Sequence, residues 1–469
     1  MKKDTIAAIA TSLSDAGIGI IRIAGSESIE IAHRLFVNKN GNHCFNQYKS
    51  HTIHYGYIID CFSDAENFED CIVDEVMIAI MKKPNSYTKE DTVEINCHGG
   101  VLLLQKVLEL AVKCGARIAE PGEFTKRAFL NGRIDLAKAE AVMDLIHSQN
   151  EFALKSSVNQ LKGNVSKIIY ELREKIIYEI AFIESALDDP EHISLDGYED
   201  RLNEIVIYVK DKVKDLIESA DNGKMMKEGI NTVIVGKPNA GKSSLLNHML
   251  GEERAIVTDI AGTTRDVLQE TIRLRGISLN MIDTAGIRNT EDIVEKIGVE
   301  KAKEFASKAD LILYVVDTSI PLDESDRDII SVIQDKKVIV LLNKSDLKPQ
   351  VTDEEISDLF GNRDINLVRT STKENTGLDI FEDIIQNMFF SGQIKSNQEV
   401  VITNMRHKEA LMEAYESLQM VKNSLELHMP EDFYSIDLMS AYASLGKIIG
   451  EEVDEDLVNE IFTKFCMGK

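Results

Sequence analysis

The chain has 469 residues, 43% of them hydrophobic and 28% charged, with a net charge of −26. That length carries roughly three domains, and the composition is that of a globular protein that builds real cores. The charge argues against a chain that coats nucleic acid by itself, because phosphate contacts need clustered Lys and Arg; it leaves room for a local basic patch.

Residues 1 to 118 mix strands and helices. Ile18 to Ile23, Val76 to Ile80 and Thr92 to Cys97 read as strands, and Pro84-Asn85-Ser86 as a turn. His98-Gly99-Gly100 leads into a helical pattern from Val101 to Val112. His98 reads first as a turn residue and second as a ligand group. The whole reads as an α+β domain.

Residues 119 to 217 are mostly helical. Leu161, Val165, Ile168, Leu172, Ile176, Ile180 and Ile183 step by three or four along one apolar stripe, which is core packing. Asp188-Asp189-Pro190 ends it. Ser219 to Gly223 has the composition of a linker. The segment from 218 to 385 is a nucleotide domain, and 386 to 469 is helical again. There Leu411, Tyr415, Leu418, Val421 and Leu425 form a second stripe, Pro430 breaks it, and two short helices follow from Leu438. Neither helical segment is a complete domain, so the expectation is one discontinuous helical bundle with a Ras-like P-loop domain inserted in it.

The six cysteines, Cys44, Cys61, Cys71, Cys97, Cys114 and Cys466, form no CxxC and no His/Cys metal spacing. No secretory leader and no apolar run of bilayer length is found, so the expectation is a cytoplasmic chain, off the membrane, with reduced thiols.

The chemistry is concentrated after residue 231. A β-branched strand, Thr232 to Val235, runs into Gly236-x-x-x-x-Gly241-Lys242-Ser243, and Leu245 and Leu246 begin a helix. That strand–loop–helix order is what a phosphate cradle requires. The amides of Asn239, Ala240, Gly241, Lys242 and Ser243 wrap the β-phosphate, Lys242 reaches the β- and γ-phosphates, and the Ser243 hydroxyl sits on Mg²⁺. Gly262-Thr263-Thr264-Arg265 has the form of a switch whose Thr264 hydroxyl meets Mg²⁺ only when the γ-phosphate is present. Asp283-Thr284-Ala285-Gly286 follows the strand Leu279 to Ile282; Asp283 holds Mg²⁺ through water and the Gly286 amide bonds the γ-phosphate. Asn343-Lys344-Ser345-Asp346 follows the strand Val338 to Leu342. Asp346 accepts from N1–H and N2–H₂ of guanine; adenine lacks the exocyclic donor and is rejected. Ser371-Thr372-Lys373, after the strand Ile365 to Arg369, supports the base. These motifs in this order imply GTP binding.

Catalysis departs from the small-GTPase pattern. The position of the water-orienting glutamine is Ile287, which cannot hydrogen-bond, so the acidic side chains of Glu291, Asp292 and Glu295 are the candidates. No arginine finger is evident: Arg265 and Arg288 flank the switches as solvated residues would. Asn239 offers a side-chain oxygen at the depth of a monovalent ion, and equally well shapes the loop.

Gly236 to Asn247, and Ala255-Ile256-Val257-Thr258-Asp259-Ile260-Ala261-Gly262-Thr263-Thr264-Arg265-Asp266, resemble the MnmE/TrmE family of tRNA-modification GTPases. The resemblance spans nearly the whole chain. It includes Asp4-Thr5-Ile6-Ala7-Ala8, the block Pro121-Gly122-Glu123-Phe124 through Gly132, and the terminal Phe465-Cys466-Met467-Gly468-Lys469. The phosphate-loop and Gly-Thr-Thr-Arg segments are shared with related GTPases; the Pro-Gly-Glu-Phe block and the terminus are particular to this family.

The resemblance implies an N-terminal folate-binding-like domain (1–118) that dimerises, a split helical domain (119–217 and 386–469) and an inserted G domain (218–385). It implies a potassium site made by Asn239 with the carbonyls of Thr258, Ile260 and Thr263, a nucleotide site that also takes in Ser244, Asp259 and Ala261, and Glu295 as the residue that positions water. It implies a reduced folate, 5-formyl- or methylene-tetrahydrofolate, at Arg22, Glu94, Arg133 and Lys469, where Arg133 stands at a position that some members fill with Lys. Cys466 matches the family's C-terminal cysteine and reads either as a modification-site thiol or as a buried one. The implied activity is GTP-driven modification of the tRNA wobble uridine, U34, at C5, as a homodimer joined by the flavoprotein MnmG in a heterotetramer. The acidic charge fits a division of labour in which that partner holds most of the tRNA backbone. The runner-up is an Era-like RNA-binding or ribosome-assembly switch, which shares the G domain and lacks the folate-type domain.

Overall fold

The structure is a computed structural model. It describes the chain except for residues 1–3, 44, 65–66, 149, 190, 252–269, 275–276, 283–308, 362, 364, 391–399, 466–467 and 469. The chain divides into two compact units, one of residues 1–143 with 443–469 and one of residues 144–442.

The first unit is built on a seven-stranded sheet. Its strands are β1 (Ile6–Ile9), β2 (Gly19–Ala24), β3 (Phe36–Asn38), β4 (Thr52–Ile59), β5 (Ile72–Met81), β6 (Thr92–Cys97) and β7 (Arg117–Ile118). They lie in the order β3-β4-β5-β6-β2-β1-β7, antiparallel but for the β1–β7 pair. Along β5, burial alternates as period-two sequences dictate. One face carries Ile21, Ile23, Val76, Ile78, Ile80, Val93 and Ile95 against helices α1 (Ser28–Leu35) and α2 (Val101–Lys113). On the other face, Ile53, Tyr55 and Met77 are at least half exposed. Toward β1 that face is covered by Phe124 of α3 (Glu123–Leu130), packed on Ile6, Ala8 and Ala24.

Two stretches that the sequence singles out meet here. Glu123 of the Pro-Gly-Glu-Phe block takes two hydrogen bonds from Arg117 (2.6 and 3.1 Å), one from Arg127 (3.0 Å) and one from the Glu120 amide (2.8 Å). Arg117 and Arg127 also reach Asp4. Glu123 and Asp4 thus tie these stretches to one another through Arg117 and Arg127.

The second unit begins at residue 144, within α4 (Leu136–Ile146). It contains α5 (Glu151–Leu161), α6 (Asn164–Asp188) and α7 (Tyr198–Glu228). The stripe expected in one helix is divided: Leu161 ends α5, Gly163 takes φ +90° ahead of α6, and Ile169, not Ile168, is the fully buried residue. The expected linker at Ser219 to Gly223 is instead interior to the 31-residue α7.

Through Gly229, α7 feeds β8 (Ile230–Val235), the middle of a six-stranded sheet. With α8 (Lys242–Gly251), β9 (Glu270–Leu274), β10 (Ile277–Met281), β11 (Leu311–Asp317), α9 (Glu324–Ile333), β12 (Val338–Asn343), α10 (Asp353–Leu359), β13 (Asn366–Arg369) and α11 (Leu378–Phe390), it gives the order β13-β12-β11-β8-β10-β9. All pairs are parallel except β9–β10. Every residue of β11 and β12 is buried, as in a sheet covered on both faces. This is the doubly wound Ras-like arrangement, whose ligands sit beyond the carboxyl ends of the strands.

Next, α12 (Met405–Glu426) packs along α7 and buries Leu411, Leu418, Val421 and Leu425; Tyr415 is half-buried. Beyond Pro430 the helices are α13 (Glu431–Ile449) and α14 (Glu455–Thr463). The first is 19 residues long and begins seven residues ahead of the expected Leu438, because Pro430 sits just before its first turn, where the missing N–H costs nothing.

Candidate functional site

The phosphate loop leaves β8 at Val235 and enters α8 at Lys242. Two of its positions need special backbone. Asn239 takes φ +64° and Gly241 φ +100°; a Cβ on Gly241 would collide with Asn343 Nδ2. That amide instead donates to the Ala240 carbonyl (2.9 Å), so the base-reading motif is tied to the phosphate loop through one buried hydrogen bond. The Lys242 ammonium donates to the carbonyls of Gly236 and Lys237, each at 2.7 Å. Burial lowers its pKa from the ordinary lysine value. Two carbonyls only partly offset the loss of water, and a polyphosphate supplies the countercharge that is missing. Asn239, Ser243 and Ser244 are exposed.

Lys344 follows β12 in a left-handed conformation, φ +59°, and its Nζ lies 2.6 Å from Asp317 Oδ2 at the end of β11. Burial works against the Asp317 charge, but the Lys344 ammonium and the Ser319 hydroxyl and amide hold its pKa below the usual carboxylate value. Asp346 accepts from the Ser371 hydroxyl at 2.9 Å, and Ser371 is fixed by a backbone bridge with Thr376. Thr372 and Lys373 continue the same turn at the surface. One Asp346 oxygen is thus aligned by Ser371, which leaves the carboxylate oriented to read a paired donor edge. Asp317, Thr318 and Lys237 escape sequence reading. Thr318 donates to the Asn343 carbonyl at 2.9 Å, and its only sequence signal is its place after an apolar strand.

The structure therefore brings Asn239, Ala240, Gly241, Lys242, Ser243, Ser244, Asn343, Lys344, Asp346, Ser371, Thr372 and Lys373 to one edge of the sheet. Thr258, Asp259, Ile260, Ala261, Gly262, Thr263, Thr264, Asp283, Thr284, Ala285, Gly286 and Glu295 lie outside the described residues.

The first unit holds a second cluster. Arg22 on β2 and Glu94 on β6 are register partners, and Arg22 Nε donates to Glu94 Oε1 at 2.8 Å. Arg22 also donates to the Gly468 carbonyl at 3.1 Å. The Arg22 guanidinium lies 5.5 Å from the Phe124 ring centroid and 6.0 Å from that of Tyr87; Arg133 lies 4.8 Å from Tyr87. Two cations and one carboxylate thus gather beside the Tyr87 ring, with Phe124 fully buried beneath Arg22. Tyr87 is not legible as a site residue in the sequence. Lys469 and Cys466 lie outside the described residues. His98 stands apart, with Nδ1 at 2.7 Å from Asp74 Oδ1 and its amide donating to Asp74 Oδ2; that hydrogen bond and the Asp74 charge raise its pKa.

Two family models match the chain, the "GTP-binding protein TrmE N-terminus" over residues 5–133 and the "MnmE helical domain" over residues 136–466. Curated relatives named tRNA modification GTPase MnmE match over the full length. The protein of Lachnoclostridium phytofermentans is 57% identical over 100% of both chains, that of Acetivibrio thermocellus 47% over 100% of both, and that of Clostridioides difficile 48% over 99% of both. Among solved structures, the G domain of the T. maritima FeoB iron transporter aligns with 33% of this chain and 96% of that chain at 25% identity, with a TM-score of 0.25. With two family models covering almost every residue and relatives near half identity from end to end, the chain belongs to the MnmE/TrmE family.

Proposed function

We propose that this chain is a potassium-dependent GTP hydrolase that acts on tRNA with the flavoprotein MnmG, converting the wobble uridine U34 at C5 to its aminomethyl or carboxymethylaminomethyl form with a folate-derived carbon. The single observation that carries the GTPase part is the phosphate loop locked to Asn343, beside Asp346 held by Ser371. The names of its relatives support the tRNA part.

In this reading Asp346 accepts two hydrogen bonds from guanine, and Lys242 leaves its two carbonyls for the β- and γ-phosphates. Ser243 and Thr264 hold Mg²⁺, and Asp283 holds it through water. Asn239, exposed at the loop tip, holds potassium with the carbonyls of Thr258, Ile260 and Thr263; the ion supplies the positive charge that an arginine finger supplies elsewhere. Glu295 orients the attacking water. The remaining nucleotide contacts come from Ser244, Asp259, Ala261, Gly262, Thr284, Ala285, Gly286, Lys344, Thr372 and Lys373.

Arg22, Glu94, Arg133 and Lys469 hold a 5-formyl- or methylene-tetrahydrofolate. Glu94 accepts from the pterin amide edge, and the arginines and the terminal lysine take the glutamate tail. The Tyr87 ring beside Arg133 suits such a ligand. A second copy of the chain covers the open sheet face, where Ile53, Tyr55 and Met77 are exposed beside that cluster. The domains run 1–118, 119–217, 218–385 and 386–469, and the protein works in the cytoplasm as a homodimer that joins MnmG in a heterotetramer. Cys466 is a candidate modification-site thiol.

The test is GTP turnover by the purified chain in potassium and in sodium, with and without Glu295→Ala. Hydrolysis falls sharply in sodium, and Glu295→Ala keeps nucleotide affinity but loses turnover. Equal rates in both salts would remove the potassium role, and an active Glu295→Ala would remove the carboxylate.

A further inference from the structure

Cys61, just after β4, and Cys114, at the C-terminal end of α2, are 53 positions apart in sequence, yet their sulfurs lie 3.7 Å from each other. Both are free thiols; Cys61 is exposed and Cys114 is buried. We propose that they form a modification site, at which a small-molecule disulfide of the glutathione class writes a covalent tie between the β4–β5 connection and α2.

Three observations support it. The sulfurs are in contact without an intervening side chain, and closing to a bond needs a shift of less than about 2 Å. The neighbouring backbone is already pinned to the same helix. Asp60 Oδ2 pairs with Lys106 Nζ of α2 at 3.0 Å, and the Asp60 amide donates to the Cys71 carbonyl at 2.8 Å, closing the base of the connection. On the other side the Cys114 amide donates to the Leu110 carbonyl, so the second sulfur does not drift. Finally, the pair is asymmetric. A reagent from solvent meets Cys61 and not Cys114.

The electrostatics sharpen the order of events. Burial, joined by the hydrogen bond and charge of Cys61, pushes the Cys114 thiol up to about 12. In the reduced protein Cys114 is therefore a protonated, quiet thiol. Once Cys61 carries a mixed disulfide, the Cys61 contribution to that shift is gone.

The steps balance. Cys61 loses a proton, and its sulfur attacks RS–SR; one S–S bond forms, one breaks, and the leaving thiolate takes up the proton as RSH. Cys114 then gives up its proton and attacks the Cys61 sulfur, expelling the second RSH. Two protein thiols are oxidised and one small-molecule disulfide is reduced. A reducing pool reverses both steps, so the tie reports the redox state of the surroundings rather than being a permanent staple.

The experiment treats the full-length reduced chain with oxidised glutathione, alkylates what remains, and maps the peptides without reduction. In the wild type two thiols disappear, a Cys61–Cys114 cross-linked peptide appears, and neither cysteine retains glutathione. Cys114→Ser stops at a glutathione adduct on Cys61, and Cys61→Ser leaves Cys114 unmodified. The oxidised wild type melts higher than the reduced one by ~5 °C, and dithiothreitol removes the difference. A stable glutathione adduct on Cys61 of the wild type, or a cross-link from Cys61 to Cys71 in place of Cys114, would overturn the assignment. Circular dichroism of both variants separates a chemical effect from a folding failure.

Discussion

Lys237, the residue after the first glycine of the phosphate loop, illustrates how one side chain acts through its backbone. Its Nζ lies 2.7 Å from the buried carboxylate of Asp326 and 3.1 Å from Asp323, both at the start of α9. Burial alone would lower its pKa, but the two carboxylates raise it, so it stays charged. Asp326 also accepts from the Tyr314 hydroxyl at 2.7 Å, deep in β11. Meanwhile the Lys237 carbonyl is one of the two groups holding Lys242. The side chain is a tether that sets where that carbonyl stands. Lys237→Ala is expected to raise KM for GTP about tenfold, equivalent to ~1.4 kcal/mol, with kcat within about a factor of two, since the group touches no reacting atom. Lys237→Arg restores KM because the guanidinium also reaches both carboxylates. Steady-state kinetics decide it; an unchanged KM in the alanine variant removes the tether.

At the scale of elements, α7 corrects the sequence reading most sharply. Ser219, Asp221, Asn222 and Gly223 look like a linker because small and polar residues crowd linkers as well. Here Ser219 and Gly223 serve a crossing. The Ser219 hydroxyl accepts from the Ile402 amide at 3.2 Å and donates to the Leu216 carbonyl. A Cβ on Gly223 would collide with the Ile402 carbonyl and touch Val401 Cγ1 at 2.9 Å. Gln160 of α5 completes the seam through Thr403 at 2.8 Å. Composition records that the residues are small; it does not record whether solvent or another segment fills the space. The phosphate loop was legible because its glycines and lysine have fixed spacing within one local element. The meeting of Tyr87 with Arg22 and Arg133 was not, because the three come from distant segments joined only by the fold. Gly223→Ala weighs the two readings. Helix propensity alone makes it stabilising by ~1 kcal/mol, whereas overpacking against a backbone carbonyl costs ~3 kcal/mol. Urea denaturation of the variant is expected to show net destabilisation of ~2 kcal/mol, and a gain in stability would mean the seam is open.

For the whole molecule, the N-terminal unit depends on charges drawn together from far apart in the chain. Asp4, Glu90, Arg117, Glu123 and Arg127 form one network, with Arg127 and Glu123 almost fully buried. The Arg117 hydrogen bond outweighs burial at Asp4 and holds its pKa below 3.8; at Glu123 burial is the largest influence and pushes upward, but Arg117, the Glu120 amide and Arg127 together keep it below 4.5. Groups whose folded pKa is depressed contribute stability above their unfolded value and lose it as pH falls through the folded one. The network therefore contributes fully at neutral pH and fades below about pH 4. Glu123→Gln removes one of the three carboxylates around the buried Arg127, with Asp4 and Glu90 remaining, which costs ~2 kcal/mol at pH 7. Calorimetric melts of wild type and variant across the acid range are expected to start far apart and converge toward low pH, because the wild-type carboxylate becomes as uncharged as the amide that replaces it. A gap that stays constant with pH would mean Glu123 acts through shape alone, and the two arginines would then owe their placement to packing rather than to the carboxylates around them.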